Sequence, residues 1–174
     1  MLRSAIALAA LLAATPAAAH IVFAEPVAEA GGYYAGFLRV SHGCEASPTV
    51  ALRVELPATV LTARPQPKPG WTLAIERTPL AEPVPGEGGT TIRERVSAVT
   101  WSGALPADQF DQFGLMMKLP DAAGPLYFPT TQTCAEGRNE WTAVPGDPAE
   151  WHALEHPAPI LTLEAAAPPE HHGH

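Results

Sequence analysis

The sequence predicts an all-β protein: an antiparallel β-sandwich of immunoglobulin-like or cupredoxin-like arrangement with one disulfide. Three observations support this fold class. Short apolar or alternating runs recur along the chain, segments rich in Pro (20 residues) and Gly (14 residues) separate them, and no stretch shows a long amphipathic helical pattern. Many short strands with turn residues between them are typical of sandwiches. The length of 174 residues supports one domain of ordinary size.

Each predicted strand is an apolar or alternating run bounded by turn residues. The clearest is Thr49–Leu56, in which the even-numbered residues from 50 to 56 are Val, Leu, Val and Leu. This period of two places the apolar side chains on one face of a strand. Gly- and Pro-rich turns at 31–32, 65–70, 85–89 and 121–124 separate the runs. In chain order the predicted strands are Ile21–Ala24, Tyr33–Val40, Thr49–Leu56, Trp71–Glu76, Thr91–Trp101, Phe113–Leu119, Leu126–Thr130 and Glu140–Val144, with Ile160–Leu163 as a candidate last strand.

The charge balance disfavours two classes of partner. Ten Lys and Arg residues stand against eighteen Asp and Glu residues, a formal net charge of −8. Proteins that bind nucleic acid or anionic lipid carry a basic surface, so both partners are disfavoured. After the first segment, no apolar run approaches the roughly 18 residues needed to cross a bilayer. We therefore expect no membrane span in the mature chain.

Residues 1–19 have the three-part pattern of a secretory signal. Arg3 provides the positive charge, an apolar stretch covers residues 5–13, and three alanines end at Ala19. The alternative, a core helix, would have no polar face. Cleavage after Ala19 makes His20 the first residue of an exported chain, which would be periplasmic or extracellular.

The two cysteines fit an oxidising compartment. Cys44 and Cys134 are the only two in the chain, and export favours a disulfide between them. Closing so long a loop would stabilise the fold by about 4–5 kcal/mol in the chain-entropy model. A soft-metal site made by both thiols is the alternative, although no C-x-x-C spacing supports it.

The composition divides the mature chain into a domain and a tail. We expect the sandwich domain to cover residues 20–164, because after about Pro145 the sequence shifts toward Ala, Pro, Glu and His. Residues 165–174 are predicted to be a disordered tail rich in histidine. Its three histidines are weak metal-capturing candidates or simply a solvated end.

Histidine is the residue type that carries a chemical signal. No G-x-S-x-G motif occurs, and the glycines at 86–89 are followed by threonines, where a phosphate loop would need Gly-Lys. After cleavage, His20 would offer an α-amine and an imidazole nitrogen from one residue. Such a chelating pair suits Cu(II). The alternative is that His20 merely begins a strand.

A further ligand would come from another part of the chain. Glu45 follows Cys44 directly, and Trp141 lies seven residues after Cys134, so the disulfide predicts that both lie in one neighbourhood. Glu45 as a solvated loop charge and Trp141 as a core aromatic are the plainer interpretations. Glu55 is a rival carboxylate, but its place on the outer face of a strand favours a solvated role.

Several motifs in order resemble the YcnI-like family of exported copper-binding proteins. They are His20-Ile-Val, Gly32-Tyr-Tyr, Arg39-Val-Ser-His-Gly-Cys-Glu45, Glu55-Leu-Pro57, Pro67-Lys-Pro-Gly-Trp71, Trp101-Ser-Gly, and the segments 105–113 and 128–141. The resemblance runs from His20 to about Pro145. It implies a β-sandwich that binds Cu(II) through a monohistidine brace, in which His20 supplies its amine and side chain, Glu45 a carboxylate, and Trp141 lies close to the metal.

This resemblance favours a copper metallochaperone or scavenger that is not an enzyme. Its partners would be the copper ion and another copper-trafficking or membrane copper-transport protein. A copper oxidase or monooxygenase and a metal-free structural sandwich are the alternatives.

His42 is a candidate second imidazole or a loop histidine near the disulfide, and His152 and His156 are four residues apart between two prolines.

Overall fold

The computed structural model describes residues 20–166. The predicted signal segment and residues 167–174 of the predicted tail lie outside this range. Two short 3₁₀ helices, Glu87–Gly89 and Pro148–Ala153, are the helices in the described part, and no helix there is long and apolar enough to cross a bilayer. The strands are β1 Val22–Phe23, β2 Val27–Glu29, β3 Tyr33–Val40, β4 Thr49–Glu55, β5 Thr62–Pro65, β6 Thr72–Pro85, β7 Thr91–Leu105, β8 Asp111–Lys118, β9 Gly124–Tyr127, β10 Thr130–Cys134, β11 Arg138–Trp141 and β12 Ile160–Glu164.

The strands form three sheets, which confirms the predicted antiparallel β-sandwich. One sheet has the order β1-β3-β8-β5, the second β11-β10-β4-β7-β6, and the third β2-β12-β9. Neighbouring strands are antiparallel in each sheet, except that β2 and β12 run parallel. Period-two alternation explains the packing, because each strand turns one row of side chains inward.

The core is formed mainly by the inward rows of the two larger sheets, and Leu161 and Leu163 of β12 pack into it. In β3, for example, every second residue from Tyr34 to Val40 is buried. Trp101 on β7 is fully buried and donates its indole N–H to the backbone oxygen of Gln66 at 2.9 Å. A buried indole therefore has the partner that its polar atom requires. The largest fully buried apolar side chains are Trp101, Phe23, Phe113, Phe128, Ile21, Leu38, Leu52, Leu115, Met117, Leu161 and Val40.

Three strands were missing from the prediction. The most instructive is β10, because its sequence, Thr-Thr-Gln-Thr-Cys, is polar. Thr130 and Gln132 are nevertheless buried and form hydrogen bonds, which offset the cost of burying polar groups. The predicted strand Leu126–Thr130 is therefore wrong in its extent, since it spans the end of β9 and the start of β10. The other two, β2 and β5, are only three and four residues long.

The hairpin of β6 and β7 is longer than predicted. Its outer part is largely exposed, and β6 lies at the edge of its sheet. Pairing with β7 is irregular between Pro79 and Val84, and Pro83 falls in this gap. Proline lacks the N–H that another strand would bind, so this edge is protected against pairing with a second chain.

The predicted disulfide between Cys44 and Cys134 is present, with 6.0 Å between the two Cα atoms. It joins the loop after β3 to the end of β10. Beside it, the backbone of Gly43 passes so close to Ser47 that a Cβ at position 43 would lie 2.0 Å from the Ser47 carbonyl oxygen. Only glycine fits there, so the loop carrying Glu45 is tightly folded at its base.

Candidate metal centre

His20 lies two residues before the start of β1, at a position that the core fixes. Val22 pairs with Arg39 of β3, so continuing this antiparallel register places His20 opposite Ser41. Ile21 and Phe23 are buried in the core on either side of Val22. The start of the described chain is therefore held against the loop that leads to the disulfide.

Two buried indoles surround the His20 imidazole. The ring centroids of His20 and Trp141 are 5.8 Å apart, and those of His20 and Trp151 are 5.6 Å apart, both in edge-to-face arrangements. His20 itself is partly buried. Its Nε2 atom is buried and has no hydrogen-bond partner among residues 20–166. A buried polar atom without a partner is costly. The corner formed by His20, Trp141 and Trp151 therefore has a ring nitrogen that is free to bind a ligand.

The surroundings keep the His20 imidazole neutral. Its pKa is lowered from the ordinary value of 6.5, first by burial and then by the charges of His152 and His156, while the backbone of Glu155 acts in the opposite direction. Neutral imidazole is the form that binds metals. The corner therefore favours the metal-binding state of His20 at neutral pH.

A network of side-chain hydrogen bonds positions Trp141. It pairs with Thr130 across the β10–β11 ladder, and its indole N–H donates to Oε1 of Gln132 at 3.2 Å. The Gln132 amide nitrogen donates to the His42 carbonyl at 2.7 Å and to Oγ1 of Thr49 at 2.8 Å. Gln132 thus links the indole beside His20 to the loop that contains His42. The ring of His42 itself faces the neighbouring Gly43 carbonyl.

Trp151 belongs to a segment that the sequence analysis did not place at the site. Asp147 caps the 3₁₀ helix Pro148–Ala153 by accepting a hydrogen bond from the Ala149 backbone N–H. The Trp151 indole donates to the Ala158 carbonyl at 2.7 Å. The sequence offered one signal for this element, an Asp-Pro pair at a helix start, but no periodic pattern that would indicate which surface it covers.

The structure brings only part of the expected ligand set together. His20 and Trp141 are in contact, whereas Glu45 is exposed and lines a shallow depression of about 390 Å³ with Cys44, Ser47 and Glu136. No group of three or more His, Cys, Asp or Glu side chains within residues 20–166 is close enough to hold a metal ion.

The hairpin of β10 and β11 explains why Glu45 and Trp141 are separated. Cys134 is at one end of β10, and Trp141 pairs with Thr130 at the other end. Four residues of strand span about 13 Å, so the six residues between Cys134 and Trp141 turn back along β10 and do not stay beside the disulfide. Glu45 remains at the cysteine end. It has a positive φ of 55° in its turn.

Glu55, the rival carboxylate, lies on the outer face of β4. It is exposed and forms an ion pair with Arg53. Arg53 also bonds Glu76 across the same sheet surface. The structure therefore gives Glu55 a charge partner on the solvent side, away from the corner that contains His20.

Without metal, the folded protein should lose stability as the pH falls below 6.5. The pKa of His20 is lower in the folded state than its ordinary value, so the unfolded chain binds more protons in this range. The contribution of His20 is complete above about pH 6.5 and is lost as the pH falls toward the lowered pKa. Urea unfolding between pH 7.5 and 5 measures this slope, and the His20→Asn variant should show a shallower one. Equal slopes in the two proteins would contradict the assignment to His20.

Comparison with known proteins supports the fold. A protein from Nocardia farcinica described as uncharacterized, whose crystal structure has an immunoglobulin-like fold, is 32% identical; the alignment covers 84% of this chain and 99% of that one, with a TM-score of 0.60. The seventh ScaB type I cohesin from Pseudobacteroides cellulosolvens is 16% identical over 89% and 97% of the two chains, and its TM-score of 0.40 is too low to support an argument. No curated protein matches the chain. The family described as Domain of unknown function (DUF1775) matches residues 20–163. The chain is therefore a member of the DUF1775 family.

Proposed function

We propose that the mature chain is an exported Cu(II)-binding protein that acts as a metallochaperone or scavenger and has no catalytic activity. One observation carries the proposal: His20, the first residue after the predicted cleavage site, lies in a partly buried corner against Trp141. The role also follows the resemblance to the YcnI-like family. We further propose that the partner is another copper-trafficking or membrane copper-transport protein.

The donors of His20 fit Cu(II). The α-amine and Nδ1 of a terminal histidine close a six-membered chelate ring, and nitrogen donors in a tetragonal arrangement suit the cupric ion. Nε2, the buried atom without a hydrogen-bond partner among residues 20–166, is the other ring nitrogen, which a chelate through Nδ1 leaves free. The donor set lacks the thiolate and thioether sulfur that Cu(I) prefers.

The role we propose for Trp141 is to shield the ion from water. Its indole N–H is donated to Gln132, and an indole has no lone pair suited to coordination. The ring contributes an apolar wall and a π-face, which can interact with a cation. Trp151, whose N–H is donated to Ala158, would form a second wall.

A direct test is titration of the chain that begins at His20 with Cu(II). We expect one tightly bound ion per chain, detected by calorimetry and electron paramagnetic resonance (EPR). The matched control is His42→Asn, which changes a loop histidine whose ring faces the Gly43 carbonyl. Absence of stoichiometric uptake would indicate a structural domain. Sustained oxygen consumption with ascorbate would indicate an oxidase in place of a carrier.

We expect the carboxylate ligand to be Glu45, as the resemblance implies. Glu45 has no ion-pair partner among residues 20–166, so no charge competes for its carboxylate. Its loop begins opposite His20, and because Glu45 lies at the cysteine end of β10, we propose that this loop moves toward the ion when copper binds. Glu45→Gln should weaken Cu(II) binding by about tenfold or more, since even outer-shell partners contribute about 10- to 100-fold.

The matched control for this substitution is Glu55→Gln. It removes a carboxylate of the same type from the outer sheet face, where Arg53 already binds it. The affinity for Cu(II) and the EPR spectrum should remain those of the unsubstituted chain. Loss of the spectrum in the Glu55 variant alone would assign the carboxylate to Glu55 and remove Glu45 from the ligand set.

A further inference from the structure

Two further histidines pack against the two indoles that contact His20. The His156 ring packs against Trp141 with centroids 5.1 Å apart, and the His152 ring packs against Trp151 with centroids 5.0 Å apart. His20 contacts both of these indoles. Three imidazoles therefore contact the same pair of indoles. His152 belongs to the 3₁₀ helix, which ends at Ala153, and His156 lies beyond that helix.

The backbone of this segment is fixed, while its histidine side chains are at the surface. The Ala143 N–H donates to the His156 carbonyl at 3.1 Å, and the Ala158 N–H donates to the Ala143 carbonyl at 2.8 Å. Both His152 and His156 are exposed, with 49% of the His156 side chain accessible. Because the backbone is fixed and the side chains are exposed, the imidazole of His152 or His156 can rotate toward His20 without refolding of the segment.

One carboxylate lies close to this pair of histidines. The nearest carboxylate to His156 is Glu155, whose oxygen is 4.0 Å from Nε2 and whose side chain is 92% exposed. Neutral imidazoles are metal ligands, and several of them can share one metal ion.

We propose that the pair His152 and His156 supplies a second imidazole to the Cu(II) ion held by His20. The proposal rests on the proposed function. With the amine and imidazole of His20 and the carboxylate of Glu45, one more imidazole gives three nitrogens and one oxygen, a tetragonal set that Cu(II) favours. Because no three such side chains between residues 20 and 166 are preassembled, the imidazole turns in when the ion binds.

The test uses the full mature chain with the three tail histidines, His171, His172 and His174, replaced by Asn as a common background. Cu(II) is the probe, pulsed EPR counts the bound imidazoles, and competition with a chelator measures affinity. The background chain should show two imidazoles. His152→Asn/His156→Asn should show one and bind Cu(II) about tenfold more weakly or worse, because a ligand should contribute at least as much as an outer-shell partner. The two single variants identify which histidine of the pair binds.

The possible outcomes separate this inference from the proposed function. Two bound imidazoles and unchanged affinity in the double variant would overturn the inference and leave copper binding by His20 intact. Loss of the second imidazole in His42→Asn would also overturn it, by assigning the ligand to the disulfide loop. No copper uptake by the background chain would reject the proposed function itself. Thermal unfolding of the metal-free variants checks that each is folded, as expected for exposed positions.

Discussion

A mature chain whose His20 α-amine is acetylated should lose high-affinity Cu(II) binding while it folds normally. Acetylation converts the α-amine of His20 into an amide and leaves no free amine next to the imidazole, so no amine anchors the ion for displacement of the amide proton. The imidazole remains, but the chelate ring is gone. We expect the affinity to fall by at least about 100-fold, which corresponds to about 2.8 kcal/mol.

This modification separates the chelate from every side chain of the site. Trp141, Glu45 and the histidines all remain, and Ile21 and Phe23 still anchor the segment in the core. Calorimetric titration of both chains, with mass spectrometry of each N-terminus, makes the comparison. Acetylation of the His20→Asn chain is the matched control, because it changes the same amine where no imidazole completes the chelate. Equal affinity in the two N-terminal forms would exclude the amine–imidazole chelate.

Removal of the disulfide should have the largest effect on stability. In Cys44→Ala/Cys134→Ala, the unfolded chain is no longer closed into a loop of 90 residues, and we expect the free energy of unfolding to fall by about 4–5 kcal/mol. Domains are stable by only about 5–15 kcal/mol, so the variant should be close to unfolding at 37 °C.

Urea unfolding followed by tryptophan fluorescence measures this loss, and reduction of the unsubstituted protein provides an independent check. The two experiments should agree, since both open the same loop. A decrease below about 1 kcal/mol in both would mean that the chain-entropy model fails here. In that case Gln132, which bonds both His42 and Thr49, would be sufficient to hold the loop against β10.

The strands were predictable where one face is apolar and the other polar. Tyr33–Val40 has the same bounds in the prediction and in the structure, and the alternation in Thr49–Glu55 corresponds to its buried face. The strand β10 could not be predicted, because its buried residues are Thr and Gln. Their burial depends on partners such as His42, which lies 90 residues away in the sequence. Local periodicity carries no information about such contacts.

The candidate site was predictable at His20, where the chemistry depends on one residue and a cleavage position. The contact between His20 and Trp141 agrees with what the resemblance implies, but the rest of the surroundings was not predictable. Trp151, His152 and His156 reach the corner through a segment with no periodic pattern, whose place depends on bonds to Ala143 and Ala158. The separation of Glu45 from Trp141 follows from the direction of a hairpin, which the disulfide alone does not determine.

The position of His20 between two indoles also constrains the order of events during export. If residues 1–19 are removed as predicted, the peptidase must bind an extended, accessible stretch of chain around the scissile bond. In the folded protein His20, on one side of that bond, packs against Trp141 and Trp151. We therefore expect the peptidase to cut faster before the Pro148–Ala153 segment packs beside His20 than after it.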